Sequence, residues 1–432
     1  MTGFNLISAE PRTSLRMSLA LLCVVGVLLR AGFLVQMPLE PISDFARYLE
    51  VASNLARGDG MTAAGLPFIS QPPLYPGLLG GWLSLFGVSV ASGKAMNLLL
   101  ATLSLVLWAW LCPRSGMRPG WQLASLAVLA LHPALVSYTG MLGTETLSIL
   151  LAVMAFALTC VAGRPAWKFV ALGMVLAMIA LNRPQMLPLP VLAVVGWVLG
   201  SNRSGHMRDW VLVLATFAVS ITPWMLRNAT LYDQVVPVSA NSGYVMMANN
   251  NSANQHGGWM PLSTLPLSRD ELEHFREQAG LSPGYFAGPD EDSKILHWTP
   301  SADIVARSIA VDWIVSHPQR FLELALRRVW VSFDPANLMY WPFIGVNGPP
   351  RWVVQVTGVL NIGLCLLALT GTVRLLLRPR QLVLGQLLAL GTVVLGGASI
   401  LVFEGQGRYL IPLLPAMLWL MATRPRQAIT PD

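Results

Sequence analysis

The chain has 432 residues, of which 54% are hydrophobic and only 11% are charged, and its mean hydropathy is +0.58. A soluble domain carries about a quarter charged residues, so this composition excludes a soluble globular protein and indicates a polytopic membrane protein. The formal net charge of +7 comes from arginines scattered at the ends of apolar segments, which fits the positive-inside rule better than a nucleic-acid-binding surface, and no nucleic-acid partner is expected.

Apolar runs long enough to cross bilayer hydrocarbon as helices recur along the chain. The first is too long and too poorly ended for a cleavable signal peptide, so we interpret it as a retained span. The fold class predicted is an all-α polytopic membrane protein with about ten transmembrane helices and interfacial amphipathic helices in the first outer loop. The predicted spans are residues 14–36, 94–112, 119–138, 144–162, 166–182, 185–200, 209–226, 352–373, 381–403 and 409–423.

The apolar segment 72–90 decides the orientation of everything that follows it. If it does not cross, one side receives most basic residues of the short loops, whereas the opposite short loops hold only Arg183. Such an asymmetry marks the cytoplasmic side, so we predict an interfacial or re-entrant helix at 72–90 in a bacterial inner-membrane protein with its active site on the extracytoplasmic face. The cytoplasmic basic residues are then Arg12, Arg16, Arg114, Arg118, Arg164, Lys168, Arg203, Arg208, Arg374, Arg378, Arg380, Arg424 and Arg426.

Three regions follow from this topology: an N-terminal transmembrane module at 1–226 with an outer loop at 37–93, an extracytoplasmic polar segment at 227–351, and C-terminal transmembrane helices at 352–432. The polar segment contains "HPQRFLELALRRVW", which predicts an amphipathic helix on the membrane surface. Its expected apolar face holds Phe321, Leu324, Ala325 and Val329, and its expected polar face holds Arg320, Glu323, Arg327 and Arg328.

The first outer loop contains "SDFARYLEVASNLARGDG", which also has helical periodicity. Asp44 lies at the start of this expected interfacial helix. It is either an N-cap or a catalytic carboxylate held at the membrane surface, and the two roles are compatible. The expected apolar face holds Phe45, Tyr48, Ala52 and Leu55, and the expected polar face holds Arg47, Glu50, Asn54 and Arg57.

Four motifs occur in order between about residues 10 and 420: "SDFARYLE…QPPLYPG", "GTETLSILL", "ITPWMLRNATLY" and "GRYLIPLLP". Together they resemble the GT-C glycosyltransferases, in particular the dolichyl-phosphate-mannose–protein mannosyltransferases and the bacterial aminoarabinose transferases that modify lipid A. The matching positions are Asp44, Arg47, Tyr48, Pro72, Pro73, Tyr75, Glu145, Pro223, Trp224, Arg227, Asn228, Arg408, Tyr409 and Pro412.

The resemblance implies transfer of a sugar from a polyprenyl-phosphate carrier to a glycan, glycolipid or protein acceptor outside the cytoplasm, by an inverting single displacement. The chain departs from the family at two points. A metal-binding DxD would need an acid at Ala46, so no metal ligands are assigned and a divalent metal stays an open alternative. Some relatives carry Lys or Glu before the Pro-Pro turn, where this chain has Ser70 and Gln71.

The chemistry needs a base for the acceptor hydroxyl and a cation for the departing phosphate. Asp44 is the predicted base, and Glu145 is predicted to orient the sugar or Asp44. Arginine stays charged and grips phosphate in a bidentate fork, so Arg227, Arg408 and Arg183 are the phosphate candidates, in that order. The remaining predicted substrate-binding residues are Arg47, Tyr48, Gln71, Tyr75, Asn228 and Tyr409.

Several of these residues also have a purely structural interpretation. Glu145 is also interpreted as an acid in a helix first turn that Thr144 caps. The other structural alternatives are snorkelling for Arg227, an ion pair with Glu404 for Arg408, a helix-end anchor for Arg183, a solvated helix face for Arg47 and packing for Tyr48.

Two competing functions remain open at the level of sequence. A secondary transporter or lipid flippase would place charges near mid-bilayer and show two related halves, and no repeat is visible. A non-catalytic assembly protein of the cell envelope would keep the fold without the chemistry. A cluster of Asp44, Arg227 and Arg408 around a cavity favours the enzyme, for which a glycan or glycolipid acceptor is preferred to a protein.

Overall fold

The computed structural model describes residues 10–37, 39–199, 207–282, 285, 297–344, 348–377 and 382–422. Two short strands, β1 (Thr62–Ala63) and β2 (Leu66–Pro67), form an antiparallel hairpin in the first loop, and helices make up most of the rest. The helices are α1 (Glu10–Gln36), α2 (Ser43–Arg57), α3 (Leu74–Phe86), α4 (Val90–Leu111), α5 (Pro119–Leu131), α6 (Pro133–Ser137), α7 (Thr144–Thr159), α8 (Ala166–Asn182), α9 (Leu189–Leu199), α10 (Met207–Tyr232), α11 (Ser242–Asn249), α12 (Arg269–Gln278), α13 (Pro300–Ser316), α14 (Pro318–Phe333), α15 (Pro335–Tyr340), α16 (Arg351–Leu376), α17 (Leu384–Val402) and α18 (Leu414–Ala422).

The chain is an all-α multi-pass membrane protein, as the sequence predicts. Among the described residues, α1, α4, α10, α16 and α17 are long and apolar enough to cross a membrane, and α5 with α6 forms a sixth candidate span that is bent by 48°. The other four predicted spans coincide with shorter apolar helices. The segment at 72–90 forms α3, a helix of 13 residues that packs against α2.

The bend between α5 and α6 explains why an arginine lies inside the first span. Pro133 lacks a backbone N–H, so α5 ends and its last carbonyl groups need other donors. Arg30 supplies them, because Nη1 donates to the carbonyl of Ala130 at 2.8 Å and Nη2 donates to the carbonyl of Leu129 at 2.7 Å. With a side chain only 3% exposed, Arg30 stabilises the broken span from within.

The first loop folds onto the bundle and carries two corrections. Helix α2 begins at Ser43 with Ile42 as its N-cap, so Asp44 lies within the first turn and the N-cap interpretation is wrong. Likewise Gly143 is the N-cap of α7, so Thr144 does not cap that helix. The sequence predicted both helices, but the N-cap lies two residues before Asp44 in α2 and one residue before Thr144 in α7.

Burial of α2 also differs from the interfacial arrangement that its pattern predicts. Phe45, Tyr48 and Ala52 are buried as expected, but so is Arg47, which was assigned to the solvated face. The reason is that α2 is covered by protein on more than its apolar side, including α3 and the hairpin. A helical periodicity reports which face is apolar and does not report how much of the polar face other elements cover.

The amphipathic helix of the polar segment is α14, and one of its predicted faces is wrong. Leu324 and Ala325 are buried as predicted, but Arg328 is also fully buried. Its guanidinium donates to the carbonyl oxygens of Leu401 and Asn249, at 2.7 Å each. Arg328 therefore connects α14 to the end of α17 and to the end of α11. Its hydrogen bonds supply donors to backbone carbonyl groups at these two helix ends.

Candidate functional site

A cavity of about 470 Å³ lies where the first loop, the start of α7, the end of α8, the end of α17 and the polar segment meet. We call it the loop cavity. Eight of the eleven predicted site residues line it: Asp44, Arg47, Tyr48, Gln71, Glu145, Arg183, Arg408 and Tyr409. Carboxylates and guanidinium groups from distant parts of the sequence thus share one pocket, which is the arrangement that the sequence predicted.

Asp44 is held by three side chains. Arg408 Nη2 donates to Oδ2 at 2.8 Å, Arg47 Nη1 lies 3.4 Å from Oδ1, and Gln71 Nε2 donates to Oδ1. The helix start that presents the carboxylate depends on Ser43, whose φ of 51° is in the left-handed region. The side chain of Asp44 is 28% exposed, so it remains accessible from the cavity.

The electrostatic environment keeps Asp44 ionised. Burial raises the pKa of its carboxyl, but the positive charges of Arg408 and Arg47 and the hydrogen bonds from Arg408 and Gln71 outweigh burial, so the net pKa is lowered from its usual value. At neutral pH the group is therefore a carboxylate, and each of its oxygens already accepts a hydrogen bond.

Glu145 and Arg183 form a buried ion pair beside Asp44. Arg183 Nη2 lies 3.0 Å from Glu145 Oε1, and the side chains are only 10% and 3% exposed. The pair forms because the consecutive helices α7 and α8 pack together and bring the start of one next to the end of the other. An acid at a helix N-terminus and a cation at a C-terminus are both favoured by the helix dipole.

Glu404 is a site residue that the sequence analysis did not assign. It follows α17, is 4% exposed, and accepts hydrogen bonds from the Tyr409 hydroxyl at 2.8 Å and from the Gln406 amide. Burial raises the pKa of Glu404 above its usual value, although Arg408 and these hydrogen bonds oppose the rise. In the sequence, Glu404 is an acid between two apolar segments, and it was interpreted only as an ion-pair partner of Arg408. In the structure Arg408 pairs with Asp44 instead.

Three predicted site residues, Tyr75, Arg227 and Asn228, do not line the cavity. The Tyr75 hydroxyl is buried and donates to Asn97 Oδ1 at 3.0 Å. Arg227 Nη1 donates to the carbonyl of Phe68 at 2.7 Å, which ties α10 to the first loop. Asp44 and Arg408 therefore lie together in the cavity, as predicted, but Arg227 does not join them. Binding of substrate by Tyr75, Arg227 and Asn228 remains only a prediction.

Several polar atoms that belong to the cavity's lining residues are buried without a hydrogen-bond partner in the described part of the chain. They are Gln71 Oε1, Glu145 Oε2, Asn182 Oδ1 and Arg408 Nε. The guanidinium of Arg408 also lies 5.4 Å from the centre of the Trp341 ring and 5.3 Å from that of Tyr409. Buried polar groups are normally paired, so these atoms indicate where a polar ligand would complete the site.

The described residues contain no group of three or more His, Cys, Asp or Glu side chains placed to hold a metal ion. The acids of the loop cavity are instead paired with arginine, glutamine or tyrosine.

No protein-family model matches the chain, and no curated protein sequence matches it significantly. Solved structures do. One is the oligosaccharyltransferase AglB from Archaeoglobus fulgidus, in complex with an inhibitory peptide and a dolichol-phosphate, with a TM-score of 0.51, 13% identity and coverage of 96% of this chain and 50% of that chain. A second structure from Archaeoglobus fulgidus is the oligosaccharyltransferase tethered to an acceptor peptide. Its TM-score is 0.50 at 10% identity, and the match covers 94% of this chain and 49% of that chain.

A third match is ArnT from Cupriavidus metallidurans bound to undecaprenyl phosphate, with a TM-score of 0.43, 15% identity and coverage of 93% of this chain and 77% of that chain. The chain spans about half the length of the archaeal oligosaccharyltransferase. At these identities the likeness concerns the fold. The chain shares the fold of the archaeal oligosaccharyltransferase over most of its own length.

Proposed function

We propose that the protein is a membrane glycosyltransferase that moves a sugar from a polyprenyl-phosphate carrier to an extracytoplasmic glycan, glycolipid or protein. The observation that carries the proposal is the loop cavity, where Asp44, Glu145 and Glu404 lie together with Arg47, Arg183 and Arg408. A carrier of this kind has its phosphate at headgroup depth, so its enzyme needs acids and cations together near one end of the helix bundle. The GT-C fold supports the same conclusion.

The reaction assigns different work to the two kinds of charge. The acceptor hydroxyl attacks the anomeric carbon as Asp44 takes its proton, and the bond between that carbon and the phosphate oxygen breaks. General-base catalysis of this type contributes roughly 10²–10⁴-fold. The lowered pKa of Asp44 makes it a weak base in the free protein, but it also keeps the group ready to accept a proton at neutral pH.

Arg408 is the best-placed group for the departing phosphate. Its Nη2 holds Asp44 at 2.8 Å, while its Nε is buried without a hydrogen-bond partner in the described structure. A phosphate oxygen bound to this guanidinium would link the leaving group to the base through one side chain, and a guanidinium is suited to bidentate contacts. Arg183 is the second candidate, and this role remains only a prediction for Arg227, which does not line the cavity.

The transporter alternative gains no support from the intramembrane charge. Both terminal nitrogens of Arg30 donate to backbone carbonyl groups near the bend of the α5–α6 span. The charge therefore has a structural use and does not need a transported ion as a partner. The charged groups of the loop cavity gather instead at one end of the helices that carry them.

The decisive experiment compares two Asp-to-Asn variants in a deletion strain of the source organism. Asp44→Asn keeps the shape of the side chain and removes the base. We therefore expect that this variant does not restore the envelope modification that the deletion strain lacks, because its transfer rate is at least about a hundredfold lower. Asp59→Asn, an exposed acid in the same loop, is the matched control and should restore the modification fully. Mass spectrometry of envelope glycolipids and glycoproteins is the readout. Full restoration by Asp44→Asn would refute the assignment of the base.

A further inference from the structure

A second cavity, of about 730 Å³, lies at the other end of the bundle. Three helices connect the two cavities, because α7, α8 and α17 each contribute lining residues to both, near opposite ends. Thr144 lines the loop cavity and Thr159 lines the second one, and the 16-residue helix between them spans about 24 Å. The second cavity is therefore separated from the candidate active site by most of the thickness of the bilayer hydrocarbon.

The lining of this second cavity is basic, and we call it the basic cavity. Arg114, Arg164 and Lys168 line it, against Asp209 as the acid among its described lining residues. Arg164 is paired with Asp209. Lys168 donates to the carbonyl of Val161 and Arg114 Nη1 donates to the carbonyl of Trp110, at 2.8 Å each. Three basic residues against one acid give the described lining a net positive charge.

Further donors face the same space. The helices α8 and α17 both begin at the basic cavity, and the N–H groups of a helix N-terminus favour anions. The indole N–H of Trp197 is buried and has no hydrogen-bond partner in the described structure. Phe169, Leu387 and Trp419 add apolar surface beside these donors. A lining that combines cations and N–H donors with apolar side chains matches a phosphate attached to an acyl chain.

We propose that the basic cavity binds the phosphate headgroup of an anionic phospholipid from the leaflet opposite the candidate active site. The charge of the cavity selects an anion, and its position at the ends of α4, α7 and α8 places that anion at headgroup depth. This binding site is independent of the proposed transferase reaction, since it shares no lining residue with the loop cavity.

The test uses purified full-length protein in nanodiscs that contain equal amounts of phosphatidylglycerol and phosphatidylcholine with identical acyl chains. Native mass spectrometry then counts which lipid the released protein retains. Wild type should retain phosphatidylglycerol preferentially, and the double variant Arg114→Gln/Lys168→Gln should lose this preference by about fivefold for each cation removed. Arg374→Gln is the matched control, because Arg374 lies in the last turn of α16 and does not line the cavity.

Two further arms keep the outcome clear. The single variant Arg114→Gln changes an exposed side chain, so it reports on the site if the double variant fails to fold. Excess inorganic phosphate should not displace the retained lipid, because the acyl chain adds apolar contacts. Equal retention of the two lipids by wild type, an unchanged preference in the folded double variant, or displacement by free phosphate would each overturn the proposal.

Discussion

Asp44 joins segments that are far apart in the sequence, since its partners are Arg47 and Gln71 from the first loop and Arg408 from the last apolar segment. Each partner donates to the ionised form of the carboxylate. Removal of that charge leaves partly buried arginines without their counter-charge, which costs folding free energy. The same residue therefore carries a stability effect and the proposed catalytic effect.

The stability effect has a defined pH dependence. The folded pKa of Asp44 is lowered, so its contribution to stability is present above the unfolded pKa of about 3.9 and is lost as the pH falls through the folded pKa. We expect Asp44→Asn to lower the melting temperature at pH 7 and the difference from wild type to shrink as the medium is acidified below about pH 4. Thermal unfolding of detergent-solubilised protein measures both. If the difference in melting temperature between wild type and Asp44→Asn stays constant down to acid pH, the charge of Asp44 does not contribute to stability.

The buried pair of Glu145 and Arg183 allows a second test at this scale. Either Glu145→Gln or Arg183→Gln leaves one buried charge unpaired, and we expect each to cost about 3–5 kcal/mol. The double variant should cost clearly less than the sum of the two, because no lone charge remains. Chemical denaturation gives the three free energies of unfolding. Additive effects would mean that the ion pair contributes nothing as a pair.

At the scale of elements, the broken α5–α6 span depends on Arg30. Arg30→Met keeps the apolar stem but removes the donors to the carbonyl groups of Ala130 and Leu129, so we expect a loss of about 1–3 kcal/mol per unsatisfied group. Arg16→Met, at an exposed site on the same helix, is the matched control and should change stability little. Equal melting temperatures for the two variants would contradict the structural role of Arg30.

The elements also show what local sequence can predict. Among the described residues, apolar length and hydropathy located six candidate spans, one of them bent, and four shorter apolar helices, because burial in lipid acts on each segment separately. Arg328 was assigned to the wrong face of α14, because its partners are carbonyl groups of α11 and α17, which lie distant in sequence. Arg227 was placed in the site for the same reason: its partner, the carbonyl of Phe68, is known only once the first loop has folded back.

At the scale of the whole molecule, the two cavities lie at opposite ends of α7, α8 and α17. We predict that the end with the loop cavity faces away from the cytoplasm, since the basic residues of the short loops gather at the other end. Cysteine introduced as Glu277→Cys in α12 should react with a membrane-impermeant maleimide in intact spheroplasts. Gly116→Cys, beside the basic cavity, should react only after lysis. The reverse pattern would invert the topology.

Most charged residues of the candidate site could be predicted from the sequence, and the reason is physical. A charge such as Asp44 or Glu145 stands out in an apolar chain because burying it requires a partner, and partners converge in space. Glu404 was not assigned to the site, because Arg408, four residues later in the sequence, already offered it an ion-pair partner. In the structure the backbone from 404 to 406 is not helical, so that spacing does not bring the two side chains together as it would on a helix.

We propose that the phosphate of a polyprenyl carrier binds in the loop cavity at Arg408. A cryo-electron microscopy map of the full-length protein with added polyprenyl phosphate tests it most directly. We predict phosphate density within hydrogen-bonding distance of the Arg408 guanidinium, with the tail leaving the cavity toward the bilayer. Phosphate density only at the basic cavity, with the surroundings of Arg408 empty, would contradict the claim.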